Sequence, residues 1–253
     1  MINFAIRKKG LLMICLVLAT WEILGRIGFL NPIILPYPSS IALAAIELIR
    51  SGRLITDTFA SISRAVIGFL IGSLFGISLA FLISIIKSIK PLVLPIIEIL
   101  RPIPPPAWIP IAILWFGLGN PSAFFLVALG SFFPTFTSSL SGIDNLSKNH
   151  KVLTRLFGLT KLQQLIHIYI PGSLPSIFTG LKIGIGISWM ILVTAELVGA
   201  DVGLGYLIQI NRLILRTDMI ILGMIIIGLI GFFLNRVITY GELKLLRWKN
   251  YDS

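Results

Sequence analysis

Apolar residues occupy long stretches of this chain, and short polar or charged segments separate them. Six stretches approach the length of about 20 residues that a helix needs to cross a hydrocarbon core. The predicted spans are Leu11–Leu30, Phe59–Ile86, Leu92–Phe116, Ser122–Leu140, Ile177–Val198 and Met219–Val237. We therefore expect an all-α fold, a polytopic membrane helix bundle of about six transmembrane helices.

Prolines interrupt the third of these stretches. The segment Arg101–Pro110 reads RPIPPPAWIP, and proline both lacks an amide hydrogen and clashes with the preceding helical turn. Non-helical backbone at membrane depth is tolerated where it is buried in protein or lines an aqueous cavity. The sequence therefore predicts a break here, with an ion pair between Glu98 and Arg101 on one side of it and Trp108 on the other.

The charged residues indicate how the bundle is oriented. Only 12% of the 253 residues are charged, against about 25% in an ordinary soluble domain. The net charge of +11 fits the excess of Lys and Arg in cytoplasmic loops better than it fits a nucleic-acid partner. With the N-terminus inside, the basic residues of the connecting segments lie mostly on the inner side. This topology places both termini in the cytoplasm.

Glycines spaced by four residues mark one face of two predicted spans. The second span carries Gly68, Gly72 and Gly76, and the fifth carries Gly180 and Gly184. Such faces allow helix backbones to approach closely in lipid. Tight packing within the bundle is the first interpretation, and sliding of helices past one another is the alternative.

Several charged or polar residues lie inside the predicted spans, where they are costly and are functional candidates. Glu22 and Arg26 are four residues apart and are expected to pair. Arg64 is expected to reach towards the interface. Glu196 has either a structural hydrogen-bonding role or a role in a gate or pathway, and Ser188 and Thr194 are candidates for lining a polar path.

Motifs for catalysis and metal binding are missing from the sequence. It contains no H-E-x-x-H, no G-x-S-x-G and no G-x-x-x-x-G-K-[ST] phosphate loop. His150 and His167 have no ligand-type neighbours at metal-binding spacing, and Cys15 is the single cysteine. We expect no catalytic residue, no metal and no cofactor, and we expect that the chain is not itself an enzyme.

The longest polar segment, at Ser141–Ser176, is basic and has helical spacing. Gly158 separates two apolar stripes and is placed where a helix commonly ends. The sequence IPGSLP is expected to end the second helix before the fifth span begins. We therefore predict a cytoplasmic helix–Gly–helix hairpin, which is either a plain connector or a docking surface.

The end of this hairpin carries a family resemblance. Gly158 is followed, after nine residues, by Ile168, Ile170 and Pro171. This pattern, G-x9-I-x-[LI]-P, resembles the "EAA" loop of permease subunits from binding-protein-dependent ABC importers. The three E-A-A positions are occupied here by Val152, Leu153 and Thr154.

Further segments narrow the resemblance to one branch of these permeases. Over Pro36–Arg236 the chain is similar to permeases of the nitrate, sulfonate, taurine and bicarbonate branch, through ILPYPSSI, SISRAVIGFLIGSLFGI, LRPIPPPAWIPIAILWFGLG, PSIFTGLKIGIGISWMILVTAELVG and GLGYLI. The resemblance implies a type I importer permease fold in a single domain, residues 1–253. It divides that domain into a peripheral helix and outer loop (1–58), a core (59–240) and the coupling hairpin (141–176).

The same resemblance implies a function and partners. The chain would form the path for a small anionic solute across the cell membrane, together with two ABC ATPase subunits, a second permease subunit expected to be another copy, an extracytoplasmic solute-binding protein and the lipid bilayer, without nucleic acid. The expected ATPase-coupling residues are Lys151, Leu153, Arg155, Leu156, Phe157, Gly158, Ile168 and Pro171. The path or gate candidates are Glu98, Arg101, Ser188, Thr194 and Glu196. A secondary transporter or channel that is not coupled to ATP remains the alternative, since broken helices and intramembrane charges also occur there.

Overall fold

The computed structural model describes residues 2–156 and 160–246, without the side chains of residues 2–11, 147–156 and 161–162. Every regular element in these ranges is helical, as the sequence predicts. The helices are α1 Ile2–Arg26, α2 Pro38–Arg50, α3 Arg53–Ile85, α4 Lys90–Leu100, α5 Ile109–Phe116, α6 Asn120–Leu156, α7 Lys161–Gln164, α8 Ile170–Gly199, α9 Leu204–Leu213 and α10 Thr217–Leu245. A 3-10 turn at Pro105–Trp108 precedes α5, and a π segment at Leu165–Tyr169 precedes α8.

Four helical runs of the described residues are long and apolar enough to cross a membrane. They are α3, the part of α6 up to Leu146, the π segment joined to α8, and α10. The bent pair of α4 with the 3-10 turn and α5 would be a fifth. The first predicted span, Leu11–Leu30, lies largely on α1, which ends at Arg26. The prediction of an all-α polytopic bundle is confirmed.

Helix α6 is the central helix of the bundle. From Ser122 to Leu140 none of its residues is exposed, because α3 packs on one side of it and α8 on another. The glycine face of α3 allows the first contact, since a Cβ atom at Gly72 would lie 2.0 Å from the carbonyl oxygen of Ala128. The predicted close packing of this face is confirmed.

The contact between α6 and α8 is built from small residues on both helices. A Cβ at Gly180 of α8 would lie 2.9 Å from the carbonyl oxygen of Pro134. In return, a Cβ at Gly142 of α6 would lie 2.6 Å from the Cβ of Ser176. Close backbone contact of this kind replaces the hydrophobic driving force that helices lack in lipid.

The third predicted span is bent instead of continuous. α4 ends at Leu100, and its axis makes an angle of 94° with the helical pair that begins at Pro105. The predicted break at the prolines is confirmed, and the two halves count as one span only if the bent pair is taken together. The prolines remove amide donors at the turn, so fewer backbone groups need partners there.

The two halves of the bent span pack at different places. Ile97 of α4 belongs to a buried group with Ile83 and Ile143, near the ends of α3 and α6 that the topology places inside. Trp108 and Ile109 belong to another group, further towards the outer end of α6. The bend therefore lets one short stretch of chain cover two separate parts of the bundle.

The segment between the fourth and fifth predicted spans differs from the expected hairpin. α6 continues without interruption to Leu156, so the fourth span and the first hairpin helix are one element. IPGSLP does not end a helix, because α8 begins at Ile170 and runs through Pro175. Pro171 lies in the first turn of α8, directly after the π segment.

The short helix α2 is held at the outer surface by charged contacts. The predicted Glu22–Arg26 pair forms at 2.6 Å, and Glu22 also accepts the backbone N–H of Ser39 at 2.9 Å. Glu22 therefore supplies a side-chain acceptor for the first turn of α2. At the other end, Arg216 lies 2.9 Å from Glu47, and this hydrogen-bonded cation lowers the pKa of the Glu47 carboxyl.

A substitution at Gly72 tests the close approach of α3 and α6. Gly72→Ala places a methyl group against the Ala128 carbonyl, and overpacking of this kind costs about 1–3 kcal/mol. We expect a lower thermal unfolding temperature in detergent or nanodiscs. Gly228→Ala is the matched control, because nothing lies within 4 Å of a Cβ at that position of α10. Equal effects of the two substitutions would contradict the packing argument.

Candidate functional site

A buried cluster of polar side chains lies at the outer ends of α3 and α8. Glu196 of α8 has a side chain that is 0% exposed, and Arg64 of α3 has one that is 7% exposed. The Arg64 Nη1 atom lies 2.8 Å from Glu196 Oε1. The Ser61 hydroxyl lies 2.9 and 2.8 Å from the two carboxylate oxygens. A desolvated carboxylate is stable here because a cation and hydroxyl and amide donors surround it.

The cluster also holds the first turn of α9. The backbone N–H groups at the start of this helix have no intrahelical acceptors. Here the N–H of Gly203 donates to Asp57 at 3.0 Å, that of Leu204 to Ser61 at 2.9 Å and that of Gly205 to Glu196 at 2.9 Å. Carboxylates are favourable at a helix N-terminus. The first N–H groups of α9 therefore bind this helix to side chains of α3 and α8.

Two glycines make this approach possible. Gly203 has φ +135°, and a Cβ on it would lie 2.5 Å from the Glu196 carboxylate carbon. A Cβ on Gly205 would lie 2.6 Å from both the Glu196 Cβ and the carbonyl oxygen of Val193. A side chain at either position would push α9 away from the carboxylate. Glycine is therefore required at both glycine positions of GLGYLI, because the Glu196 side chain leaves no space for a Cβ atom.

Arg64 extends the cluster to two further elements. Its Nε donates to the Asn120 side chain at 2.6 Å, at the start of α6, and its Nη1 donates to the carbonyl oxygen of Val202 at 2.5 Å. The expectation that Arg64 reaches towards the interface is therefore wrong. It is directed inward because α8 supplies a buried carboxylate within hydrogen-bonding distance.

The other predicted path and gate residues are not part of this cluster. Ser188 is buried and donates to the carbonyl oxygen of Val127 on α6 at 2.8 Å, which joins two packed helices. Thr194 is half-buried and donates within its own helix to Met190. The five candidates do not assemble into one site, since only Glu196 belongs to the cluster.

Glu98 and Arg101 lie elsewhere, at the end of α4. Both are exposed, and the ion pair predicted between them does not form within the part of the chain that the structure describes. Spacing by three residues brings two side chains near each other, but an exposed pair gains at most about 1 kcal/mol. The prediction was wrong because spacing alone does not hold an exposed pair together.

The predicted coupling residues lie at the opposite end of the bundle. The last turns of α6 carry Lys151, Leu153, Arg155 and Leu156, whose side chains lie outside the described residues. Two further coupling residues, Phe157 and Gly158, lie wholly outside the described residues. Ile168 is half-buried in the π segment, and Pro171 is half-buried in the first turn of α8.

Sequence reasoning missed Asp57, Ser61 and Asn120 as members of the cluster. A signal was present, since Asp57, Ser61 and Arg64 are spaced by four and three residues and so share one face of a helix. Three polar residues on one face of an apolar helix favour a buried polar partner. The partner itself, more than 130 positions later in the chain, leaves no such periodic signal.

Comparison with known proteins gives a consistent result. The profile of the family described as "Binding-protein-dependent transport system inner membrane component" matches residues 68–242. A putative ABC transporter permease from Methanocaldococcus jannaschii is 39% identical over 92% of this chain and 89% of its own length. A putative aliphatic sulfonates transport permease from Bacillus subtilis is 35% identical over 96% of this chain and 88% of its own length. The taurine transport system permease of Escherichia coli is 30% identical over 93% of this chain and 87% of its own length.

Removing the cation from the buried pair tests the cluster. Arg64→Met leaves the Glu196 carboxylate buried without its charge partner, which costs about 3–5 kcal/mol. Arg26→Met is the matched control, because that pair is exposed and is worth about 0–1 kcal/mol. The measurement is the thermal unfolding of the purified protein. Arg64→Met with Glu196→Gln should recover part of the loss, and equal effects of Arg64→Met and Arg26→Met would disprove the assignment.

Proposed function

The chain belongs to the family of binding-protein-dependent transport system inner membrane components, and from that premise we propose how it moves solute and how ATP drives it. It is a multi-pass cell-membrane protein, the permease subunit of an ABC importer. The family is a membrane component and is not itself catalytic, so it works with ATPase and solute-binding partners. The arrangement of those partners and the roles of individual residues are our proposals.

The path is proposed to lie between two permease subunits, not inside one. The reason is the filled interior of the described bundle, where α3 and α8 approach α6 so closely that a methyl group at Gly72 or Gly180 has no room. Two copies of this chain would then enclose the path, and each copy would carry one ATPase subunit. An extracytoplasmic binding protein would deliver solute to the outer face.

The proposed solute is a small oxyanion. Two relatives are by name permeases for aliphatic sulfonates and for taurine, and both of these solutes carry a sulfonate group. The resemblance found in the sequence adds nitrate and bicarbonate to the class. An anion of this size favours backbone amides and helix N-termini over apolar walls.

Coupling to ATP is proposed to run through α6, and the length of this helix is the observation that carries the proposal. α6 extends from Asn120 to Leu156, about 55 Å at 1.5 Å per residue. Its inner end carries the proposed docking residues, and its middle lies between α3 and α8. A displacement of the hairpin by the ATPase would therefore move the centre of the bundle directly. Each nucleotide state must favour one arrangement through differential contacts.

The proposed docking surface consists of two groups. Leu153, Leu156 and Phe157 would enter a groove on the ATPase, while Lys151 and Arg155 face polar partners there. Gly158 would end the docking helix, and Ile168 and Pro171 would position the return of the chain to α8.

Glu196 is proposed as a fixed point of the outer gate and not as a solute ligand. Arg64 Nη1 donates to its Oε1 and the Gly205 N–H donates to its Oε2, while the Ser61 hydroxyl lies within hydrogen-bonding distance of both oxygens. An ionised carboxylate only accepts hydrogen bonds and repels an anion, so its partners here are the donors of the protein itself. Of the other candidates, Thr194 is half-buried on the outer part of α8 and is the better one for a path, whereas Ser188 joins α8 to α6.

Charge introduced at the docking surface tests the coupling. We expect that Leu156→Asp lowers ATPase retention in pull-downs at least tenfold, because an apolar contact would be replaced by a buried charge. Leu245→Asp is the control, at an exposed position at the inner end of α10. In proteoliposomes, uptake by the wild type should require ATP and the partner subunits. Uptake driven by an ion gradient alone, or unchanged retention in Leu156→Asp, would contradict the proposal.

The proline break gives a second test. Replacing Pro104–Pro106 with alanines allows the chain to continue as a helix through the bend. We expect a loss of transport while the ATPase stays bound, because the docking surface is unchanged. Pro95→Ala, within α4, is the matched control and should leave transport near the wild-type rate. Full transport by the triple variant would show that the proline break is not needed for transport.

A further inference from the structure

A cavity of about 440 Å³ opens at the inner end of the bundle. It lies between the last turns of α3, the start of α4, α6 and the π segment. Its lining includes Phe81, Ile83, Lys87, Lys90, Ile143 and Leu165. The volume is in the range of pockets that hold small organic ligands, about 300–1,000 Å³.

The inner part of this cavity is apolar and firmly packed. Ile83 and Ile143 are 0% and 2% exposed and belong to the buried group shared by α3, α4 and α6. Phe81 and Leu165 add further apolar surface. The Ser84 hydroxyl donates to the Ala80 carbonyl of its own helix at 2.7 Å and is therefore already satisfied. These walls suit a hydrocarbon chain.

The rim of the cavity carries an excess of positive charge. Lys90 Nζ lies 2.7 Å from Asp144 Oδ2, so this pair is nearly neutral. Lys87 is exposed and forms no ion pair within the ranges that the structure describes. A group bound at the rim would meet two ammonium groups and one carboxylate, an arrangement that favours an anion.

One wall of the cavity is the π segment Leu165–Tyr169. π turns are rare in helices and often occur at functional sites. This segment follows the proposed docking residues and leads directly into α8. An occupant of the cavity would therefore contact the segment through which the chain returns from α7 to α8.

We propose that this cavity binds an amphiphilic anion, with a sulfonate or phosphate head at Lys87 and Lys90 and an aliphatic chain against Ile83, Ile143 and Leu165. Two sources have this chemistry: an anionic phospholipid of the inner leaflet and an organic anion from the cytoplasm. The bound anion holds the π segment in its present arrangement, since a ligand stabilises the conformation to which it binds better. Its influence on coupling rests on the proposed function, whereas the binding itself does not.

The test uses the assembled complex in nanodiscs of phosphatidylcholine. Octane-1-sulfonate is the probe for the cytoplasmic source, and nanodiscs with an equal mixture of phosphatidylcholine and phosphatidylglycerol probe the lipid source. Binding is measured by native mass spectrometry and by slower amide hydrogen exchange in Leu165–Tyr169. Neither readout depends on transport, so a failure of binding is distinguishable from a failure of the transport assignment.

Variants locate the binding in the cavity. Lys87→Gln should weaken binding about tenfold, the value of one hydrogen bond to a charged group. Lys244→Gln is the matched control, since it removes the same charge from an exposed inner position outside the cavity. Ser84→Leu fills the cavity without changing charge and should weaken binding by a similar factor, with folding checked by thermal unfolding.

The outcomes separate clearly. Protection by the sulfonate alone assigns a cytoplasmic anion, and protection by phosphatidylglycerol alone assigns a lipid. Either result supports the proposal if Lys87→Gln and Ser84→Leu reduce it and Lys244→Gln does not. Absence of binding by both probes, or equal binding by the wild type and the two cavity variants, overturns it.

Discussion

The close approach of α3 and α8 to α6 is the constraint on which the rest of the structure depends. Helices in lipid gain little from hiding apolar surface, so they are held together by van der Waals contact and by hydrogen bonds between them. Glycines at Gly72 and Gly180 bring the backbones within reach of such contact. Since α6 is in contact on both sides, the relative positions of α3 and α8 are fixed through it.

This spacing makes the buried cluster at the outer end possible. Arg64 and Glu196 are 2.8 Å apart on different helices, and a pair at that depth is stable only if the geometry is good and the remaining donors and acceptors are satisfied. Ser61 and the first amides of α9 complete the set. The cluster in turn specifies how α3, α8 and α9 meet, because any other arrangement would leave a buried charge without a partner.

The two ends of the bundle consequently differ. The outer end is joined by charged hydrogen bonds across four elements, whereas the inner end contains the cavity of about 440 Å³ and a π segment. Continuous α6 connects them. An outer end fixed in this way and an inner end with space for rearrangement suit the coupling proposed above, in which the ATPase acts on the inner end.

The sequence by itself determined the bundle, the proline break, the glycine contact and the family, because these depend on local periodicity, on backbone chemistry and on motifs that are contiguous in the chain. It did not determine the partner of Arg64 or the isolation of Glu98 from Arg101. Nor did it show that α6 and α8 continue as helices beyond the membrane segments. Only the tertiary structure decided these points. Whether a charge is paired depends on which distant helix reaches it, and the burial of a pair depends on packing that no spacing rule contains.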